Sequence, residues 1–348
     1  MLSFYPGPSK VYPQALDFIQ EAFDQGIVSI NHRSARFEKL LKETMEVMTA
    51  SWEIPADYTI YFVSSATEAW EIVAQSLVSK KSAHFYNGAF GKKWGQYASQ
   101  IHPDSQLISV GLHETLSENT SKIAPDVDTV CLVQSETSNG TGQQINRSDF
   151  PNDVLIAVDA TSSMGGICLP WKEADVWFAS VQKCLGIPAG LGIMICSPNA
   201  LARAHTLNHR THYNDILLME DNRKSFQTHY TPNVLSIYLM CRLTQTLPSL
   251  REIEQETFRK LAIWENYWTS QQAWDLRFLI PEKTLRLPTV LALTGPSTEI
   301  DRIQSTCLQQ GIELGKGYGE WKMNTVRIAN FPSHTEADIH QLINVLNL

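Results

Sequence analysis

Apolar residues recur along this chain with two periods. Thr59–Val63 alternates in the manner of a strand, residues 154–158 and 176–181 are short apolar runs of the kind that fill interior parallel strands, residues 83–86 and 129–134 read as further strands, and residues 191–196 as an added strand. Between them the period becomes helical. Residues 37–50 carry Leu40, Leu41, Met45 and Met48 on one face, and residues 68–78 form a second amphipathic stretch. Strands alternating with helices from 59 to 197 predict a doubly wound, mostly parallel α/β sheet. Gly7, Pro8 and Pro13 make the start of the chain an irregular arm, followed by a helical pattern from Gln14 to about Gly26. Residues 251–268 read as one long helix leading into a smaller α+β unit. In that unit residues 287–293 and Thr325–Ala329 are strands, and a closing helix is started by Ser333 or Thr335. The expected division is an arm over 1–15, a large domain over 16–254 and a small domain over 255–348.

Two ionisable residues interrupt this pattern. Asp159 closes the run 154–158 and Lys183 closes 176–181, where an unpaired charge costs several kcal/mol, roughly, in desolvation. One compensation is an ion pair between them at the sheet edge. The flanks favour a ligand instead, because Ser162, Ser163, Gly165 and Gly166 follow the first charge and Gly186, Pro188, Ala189 and Gly190 follow the second, leaving open space. Ligands of parallel sheets sit at the carboxyl ends of the strands. Pyridoxal phosphate fits both charges, since its aldehyde needs a lysine amine and its ring nitrogen needs a carboxylate to stay protonated.

Composition narrows the function classes. A net charge of −8 without a basic cluster gives no electrostatic footprint for nucleic acid or anionic lipid. Six cysteines lack a C-x-x-C pair, and Cys131, Cys168, Cys196 and Cys241 lie in or beside apolar runs, which reads as free thiols in a reducing cytoplasm with no metal site. The first residues carry no basic and apolar leader, and no run approaches the roughly 18 apolar residues of a membrane span. A soluble cytoplasmic protein is expected, with neither membrane nor nucleic acid as partner.

Several loops have two readings each. Ser64, Ser65, Ala66 and Thr67 open a helix and suit phosphate binding or ordinary capping. Phe90, after Asn87-Gly88-Ala89, could stack on a flat ring or fill the core. The segment Ser135 to Gly142 suits a ligand-bonding loop, and His32-Arg33 reads as a solvated cap or an anion grip. Arg327 in an apolar strand is a structural ion-pair partner or a fork for a carboxylate.

In this order the segments resemble the class V branch of the fold-type I, pyridoxal-phosphate-dependent aminotransferases over nearly the whole chain, with the phosphoserine aminotransferases as the nearest relatives. The resemblance rests on Gly7-Pro8-Ser9, His32-Arg33-Ser34, Ser65-Ala66-Thr67, Asn87-Gly88-Ala89-Phe90, Glu136-Thr137-Ser138-Asn139-Gly140, Asp159-Ala160-Thr161-Ser162-Ser163, Ser180-Val181-Gln182-Lys183 and His229-Tyr230-Thr231-Pro232. It implies a large domain with a mostly parallel seven-stranded sheet plus a small α+β domain, pyridoxal 5′-phosphate as cofactor, and a small amino acid and a 2-oxo acid as substrates. Lys183 would bond the aldehyde and then carry a proton, and Asp159 would hold the ring nitrogen. Phe90 would cover the ring and Thr137 would bond the cofactor. Ser65, Ala66, Thr67, Ser162 and Gln182 would serve the phosphate, completed by Tyr230 and Thr231 from the partner of a homodimer. Gly7, Pro8, His32, Arg33 and Arg327 would meet the substrate.

One departure concerns specificity. Phosphoserine aminotransferases carry a His-Arg pair shortly before the carboxylate arginine, where this chain reads Lys316-Gly317-Tyr318-Gly319-Glu320-Trp321-Lys322. Glu320 in that place is expected to repel a phosphate, which keeps alanine or serine–glyoxylate transamination open. A cysteine desulfurase or other lyase is the further alternative, and it needs a mobile cysteine. Cys307 sits in a helical pattern and is expected to be packed.

Overall fold

A computed structural model describes residues 1–348. Its large sheet has seven strands, in the spatial order Thr59–Val63, Gly192–Cys196, Val176–Ser180, Leu155–Asp159, Thr129–Val133, Ser82–Tyr86 and Gln106–Ser109. Only Gly192–Cys196 runs antiparallel to its neighbours. The expected α/β architecture is therefore present, and the run 191–196 is the added antiparallel strand.

The central strands have no wet face, and strand alternation divides their side chains between two cores. Ile156, Val158, Trp177 and Ala179 pack with helices Ala35–Ser51 and Val234–Thr246 on one side. Leu155, Ala157, Val176 and Phe178 pack with helices Ala66–Leu77 and Pro198–Leu207 on the other. Asp159 and Ser180 continue the second series, so the alternation alone sends them toward the helix Ala66–Leu77.

A second sheet orders Leu2–Phe4, Ile312–Lys316, Thr325–Ala329, Val290–Thr294 and Arg277–Phe278. The first residues are thus a strand, paired in parallel with Ile312–Lys316. Phe4 explains the docking: it is fully buried, edge-on to Trp264 and stacked on His334. Helix Leu250–Ser270, started by a Ser249/Glu252 capping box, gives Leu250 to the large core and Trp264 and Trp268 to the small one. After the strand, the chain crosses to the large sheet through Ser9 N–H to Gln182 O (3.1 Å) and Tyr12 N–H to Gly186 O (2.9 Å). Gly7 is required on that path. Its φ of +139° is open to glycine, and an added Cβ would lie 2.8 Å from Lys183 Cε. All six cysteines are free, and no helix is long and apolar enough to cross a membrane.

Candidate active site

The carboxyl ends of Leu155–Asp159 and Val176–Ser180 open into one cavity of about 200 Å³, lined among others by Tyr5, Gly7, Ala66, Thr67, Trp70, Phe90, Lys93, Asp159, Gln182, Lys183, Tyr318 and Arg327. Lys183 is buried, and its Nζ donates to Thr137 Oγ1 (2.7 Å) and Ser162 Oγ (3.1 Å). Burial lowers its pKa to about 8; Asp159 opposes that shift and Arg327 adds to it. About a tenth of the amine is therefore neutral at pH 7, which is what a nucleophilic lysine requires.

Asp159 is equally buried, and both its oxygens are held by neutral donors. Thr161 N–H gives to Oδ1 and the Trp70 indole N–H to Oδ2, each at 2.9 Å. Trp70 projects from the helix Ala66–Leu77 and is itself fixed against Trp94 (6.1 Å, 12°) and Tyr97 (6.1 Å, 66°). No cation reaches Asp159 within ion-pair distance, so the sheet-edge Asp–Lys pair does not form. Arg327, 3 % exposed, gives Nε–H to Lys316 O (2.8 Å) and Nη1–H to Thr137 O (2.9 Å), which fixes the fork and leaves its remaining N–H groups without an acceptor. Burial lowers its pKa, against the pull of Tyr5, Glu136 and Tyr318.

Two helix N-termini meet here and are capped differently. At Ala89–Ile101 the end is filled: Glu136 accepts from Phe90 N–H (3.1 Å) and Gly91 N–H (3.0 Å), and thereby anchors the Phe90 ring. At Ala66–Leu77 the Ser65 hydroxyl caps Glu68 N–H, Ala66 N–H gives to Ser180 Oγ (2.8 Å), and Thr67 faces the cavity. That end has room for an anion. Thr161 Oγ1 is buried beside Asp159 without a partner, as expected of a group awaiting a ligand.

Other expected positions fall elsewhere. Ser162 does not face the phosphate turn; its hydroxyl lies between Lys183 and Thr137 Oγ1 (2.5 Å), because it follows Asp159 on the lysine side. Arg33 lies outside the cavity and donates to Asn222 Oδ1 (2.8 Å) and Gln227 Oε1 (2.7 Å), while His32 packs edge-on to Phe37. Tyr230 and Thr231 are also outside it, and Pro8 does not line it although Gly7 does. Glu320 lines a neighbouring hollow with Lys92 and Trp321. Gly319, at φ +59°, turns the chain there, so Tyr318 faces in and Glu320 faces out, and the expected repulsion is absent from the cavity. Cys307 is fully buried in helix Ser297–Gln309 with its thiol pushed up to about 12 by burial, so it is no nucleophile.

Trp70, Lys93, Ser180, Tyr5 and Tyr318 reach the site without having been expected there. Tyr318 stacks on Phe90 (5.0 Å, 11°) and lies 5.7 Å from the Arg327 guanidinium.

The chain has relatives in sequence and in structure. The description "Aminotransferase class-V" matches residues 2–327. A phosphoserine aminotransferase of Rhodococcus opacus is 25% identical over 97% of this chain and 91% of its own length. The crystal structure of a phosphoserine aminotransferase from Cytophaga hutchinsonii superposes with a TM-score of 0.91 at 31% identity, covering 99% of this chain and 98% of that one. An alanine–glyoxylate aminotransferase from Nostoc shares the fold, with a TM-score of 0.82 at 23% identity over 99% and 94% of the two chains. The chain belongs to the class-V aminotransferase family and is a pyridoxal-phosphate-dependent transaminase.

Proposed function

We propose that this enzyme moves the amino group of an amino acid with an anionic side chain to a 2-oxo acid, as a cytoplasmic homodimer of the phosphoserine aminotransferase type. One observation carries the reading: a lysine, an aspartate and an arginine share a buried cavity, and none has a counter-ion there. Bound pyridoxal phosphate supplies an aldehyde carbon and an electron-withdrawing ring. Asp159, oriented by Trp70 and Thr161, holds a proton on the ring nitrogen. Thr67, Ser180 and Gln182 would offer N–H and O–H donors to the phosphate, and Phe90 would cover one ring face. Arg327 takes the substrate α-carboxylate on its free N–H groups. Lys183 Nζ, held beside Thr137, moves a proton off the substrate Cα. The phosphoserine aminotransferase relatives support the anionic side chain, and the outward position of Glu320 removes the objection to it.

The homodimer rests on Tyr230, Thr231, His32 and Arg33, which lie outside the cavity of their own chain and would complete that of a partner. Tyr230 Oη and His229 Nε2 are buried without hydrogen-bond partners, as groups awaiting a second surface would be. The cytoplasmic assignment rests on the six free cysteines. Mixing the yellow holoenzyme with phosphoserine, glutamate, serine and alanine in single turnovers tests the function. Acidic donors should bleach the band at the greatest kcat/KM, and a band unmoved by all four would refute the reading.

A further inference from the structure

Lys93 is the only lysine of the chain held half-buried with no hydrogen-bond or ion-pair partner. The other shielded lysines are all engaged: Lys10 with Asp338, Lys81 with Asp126, Lys183 with two hydroxyls, and Lys260 with the carbonyls of Phe331 and His334. Lys93 instead lines the active-site cavity, with its ammonium 5.2 Å from the Tyr97 ring centre. It stands one helical turn beyond Phe90 on Ala89–Ile101, so the spacing turns both side chains to the same face.

The charges of the cavity wall do not balance. Three cations, Lys93, Lys183 and Arg327, face one carboxylate, Asp159. Lys183 reacts as the neutral amine, Arg327 is matched by the α-carboxylate, and Asp159 by the ring nitrogen. The cofactor phosphate would have the positive N-terminal end of helix Ala66–Leu77 and the donors of Thr67, Ser180 and Gln182. Lys93 is the cation left over, and an ammonium shielded from water gains from an anion brought to it.

We propose that Lys93 receives the distal anion of the substrate, a carboxylate or phosphate on the amino-acid side chain. It thereby takes the place of the His-Arg pair that the segment Lys316 to Lys322 lacks. The assignment rests on the transaminase reading above and adds the residue that reads the substrate class. An ammonium on a flexible stem is a point charge that suits either anion, which a planar fork would not do equally.

Lys93→Met keeps the stem and removes the charge, and Lys93→Arg keeps the charge. The measurements are single-turnover kcat/KM of each holoenzyme with glutamate, phosphoserine and alanine, and the pyridoxal phosphate Kd of each apoprotein from tryptophan quenching. The expected result in Lys93→Met is a fall of about 10- to 100-fold in the glutamate-to-alanine and phosphoserine-to-alanine ratios. Lys93→Arg should restore most of that ratio, and the cofactor Kd should stay within about threefold. Ratios unchanged within about twofold would overturn the proposal. So would a weakened cofactor Kd with unchanged ratios, which would assign Lys93 to the cofactor phosphate. A wild-type enzyme inert to all three donors would sink the transaminase reading, whereas a reactive wild type with unmoved ratios would sink only Lys93.

Discussion

Removing the Lys183 charge should make the cofactor-free protein more stable at neutral pH, and the gain should disappear in alkali. The folded chain holds this lysine at a pKa of about 8 against an ordinary 10.5, chiefly through burial. At about 1.4 kcal/mol per unit, confining the charged form costs about 3 kcal/mol at pH 7. Because the folded pKa is the lower one, the unfolded chain binds the extra proton between pH 8 and 10.5, and stability rises with pH across that window. Lys183→Met lacks this contribution. It also loses the bonds to Thr137 and Ser162, each worth about 1 kcal/mol, so its net advantage at pH 7 is about 1 kcal/mol. The pH dependence is the decisive quantity, since Lys260, also lowered to about 8 by burial, and every other titrating group are common to both proteins. Urea unfolding of both apoproteins at pH 7 and pH 10 should give a variant-minus-wild-type difference that falls by roughly 2 kcal/mol between the two pH values. A difference that stays flat would show that Lys183 is not held at a depressed pKa, and the nucleophile argument would fail with it.

Trp70→Phe retains the stacking on Trp94 and removes the donor to Asp159 Oδ2, an interaction of about 1.5–3 kcal/mol for a charged acceptor. It should lower kcat about 10- to 100-fold with the amino-donor KM little changed. The Trp70 indole proton should also move upfield by NMR in Asp159→Asn apoprotein, and wild-type turnover with an unmoved resonance would leave Trp70 a packing residue. If the proposed homodimer shares its sites, refolding Lys183→Ala together with Thr231→Ala should regenerate one complete site per mixed dimer and recover activity above that of either parent, whereas no recovery would place Thr231 outside its partner's site.

The sheet was legible because its central strands are buried on both faces, and a five-residue apolar run such as Val176–Ser180 is too short for a helix and too uniform for a half-wet strand. Asp159, Lys183 and Arg327 were legible for the converse reason, that a charge in such a run is costly. The strand Leu2–Phe4 is three residues long, too short to display a period, and it is held by the fit of Phe4 among distant rings. Trp70 resembles any apolar residue of a packed helix, and Lys93 any solvated lysine. Their roles come from which face of Ala66–Leu77 and Ala89–Ile101 the fold turns toward the cavity, a tertiary fact without a local signature. The repulsion expected of Glu320 fails because position along the chain does not give direction, and one glycine at positive φ reverses it.

The way the three central charges are held explains why the site can stay folded before its ligands arrive. Asp159 is held by two N–H donors, Arg327 by two carbonyls and Lys183 by two hydroxyl groups, and none by an opposite charge. Neutral dipoles fix direction and offset part of the desolvation cost without neutralising the charge. An ion pair would have stabilised the empty chain more and left nothing for the ring nitrogen or the carboxylate to bind. Glu136 shows the contrast: its carboxylate fills the end of Ala89–Ile101, so that helix positions Phe90, while at the end of Ala66–Leu77 the Ser65 and Ser180 hydroxyls take two N–H groups and Thr67 faces the cavity. The N–H groups of one helix end are thus held by a charge and those of the other by neutral hydroxyl groups, which leave it able to receive an anion.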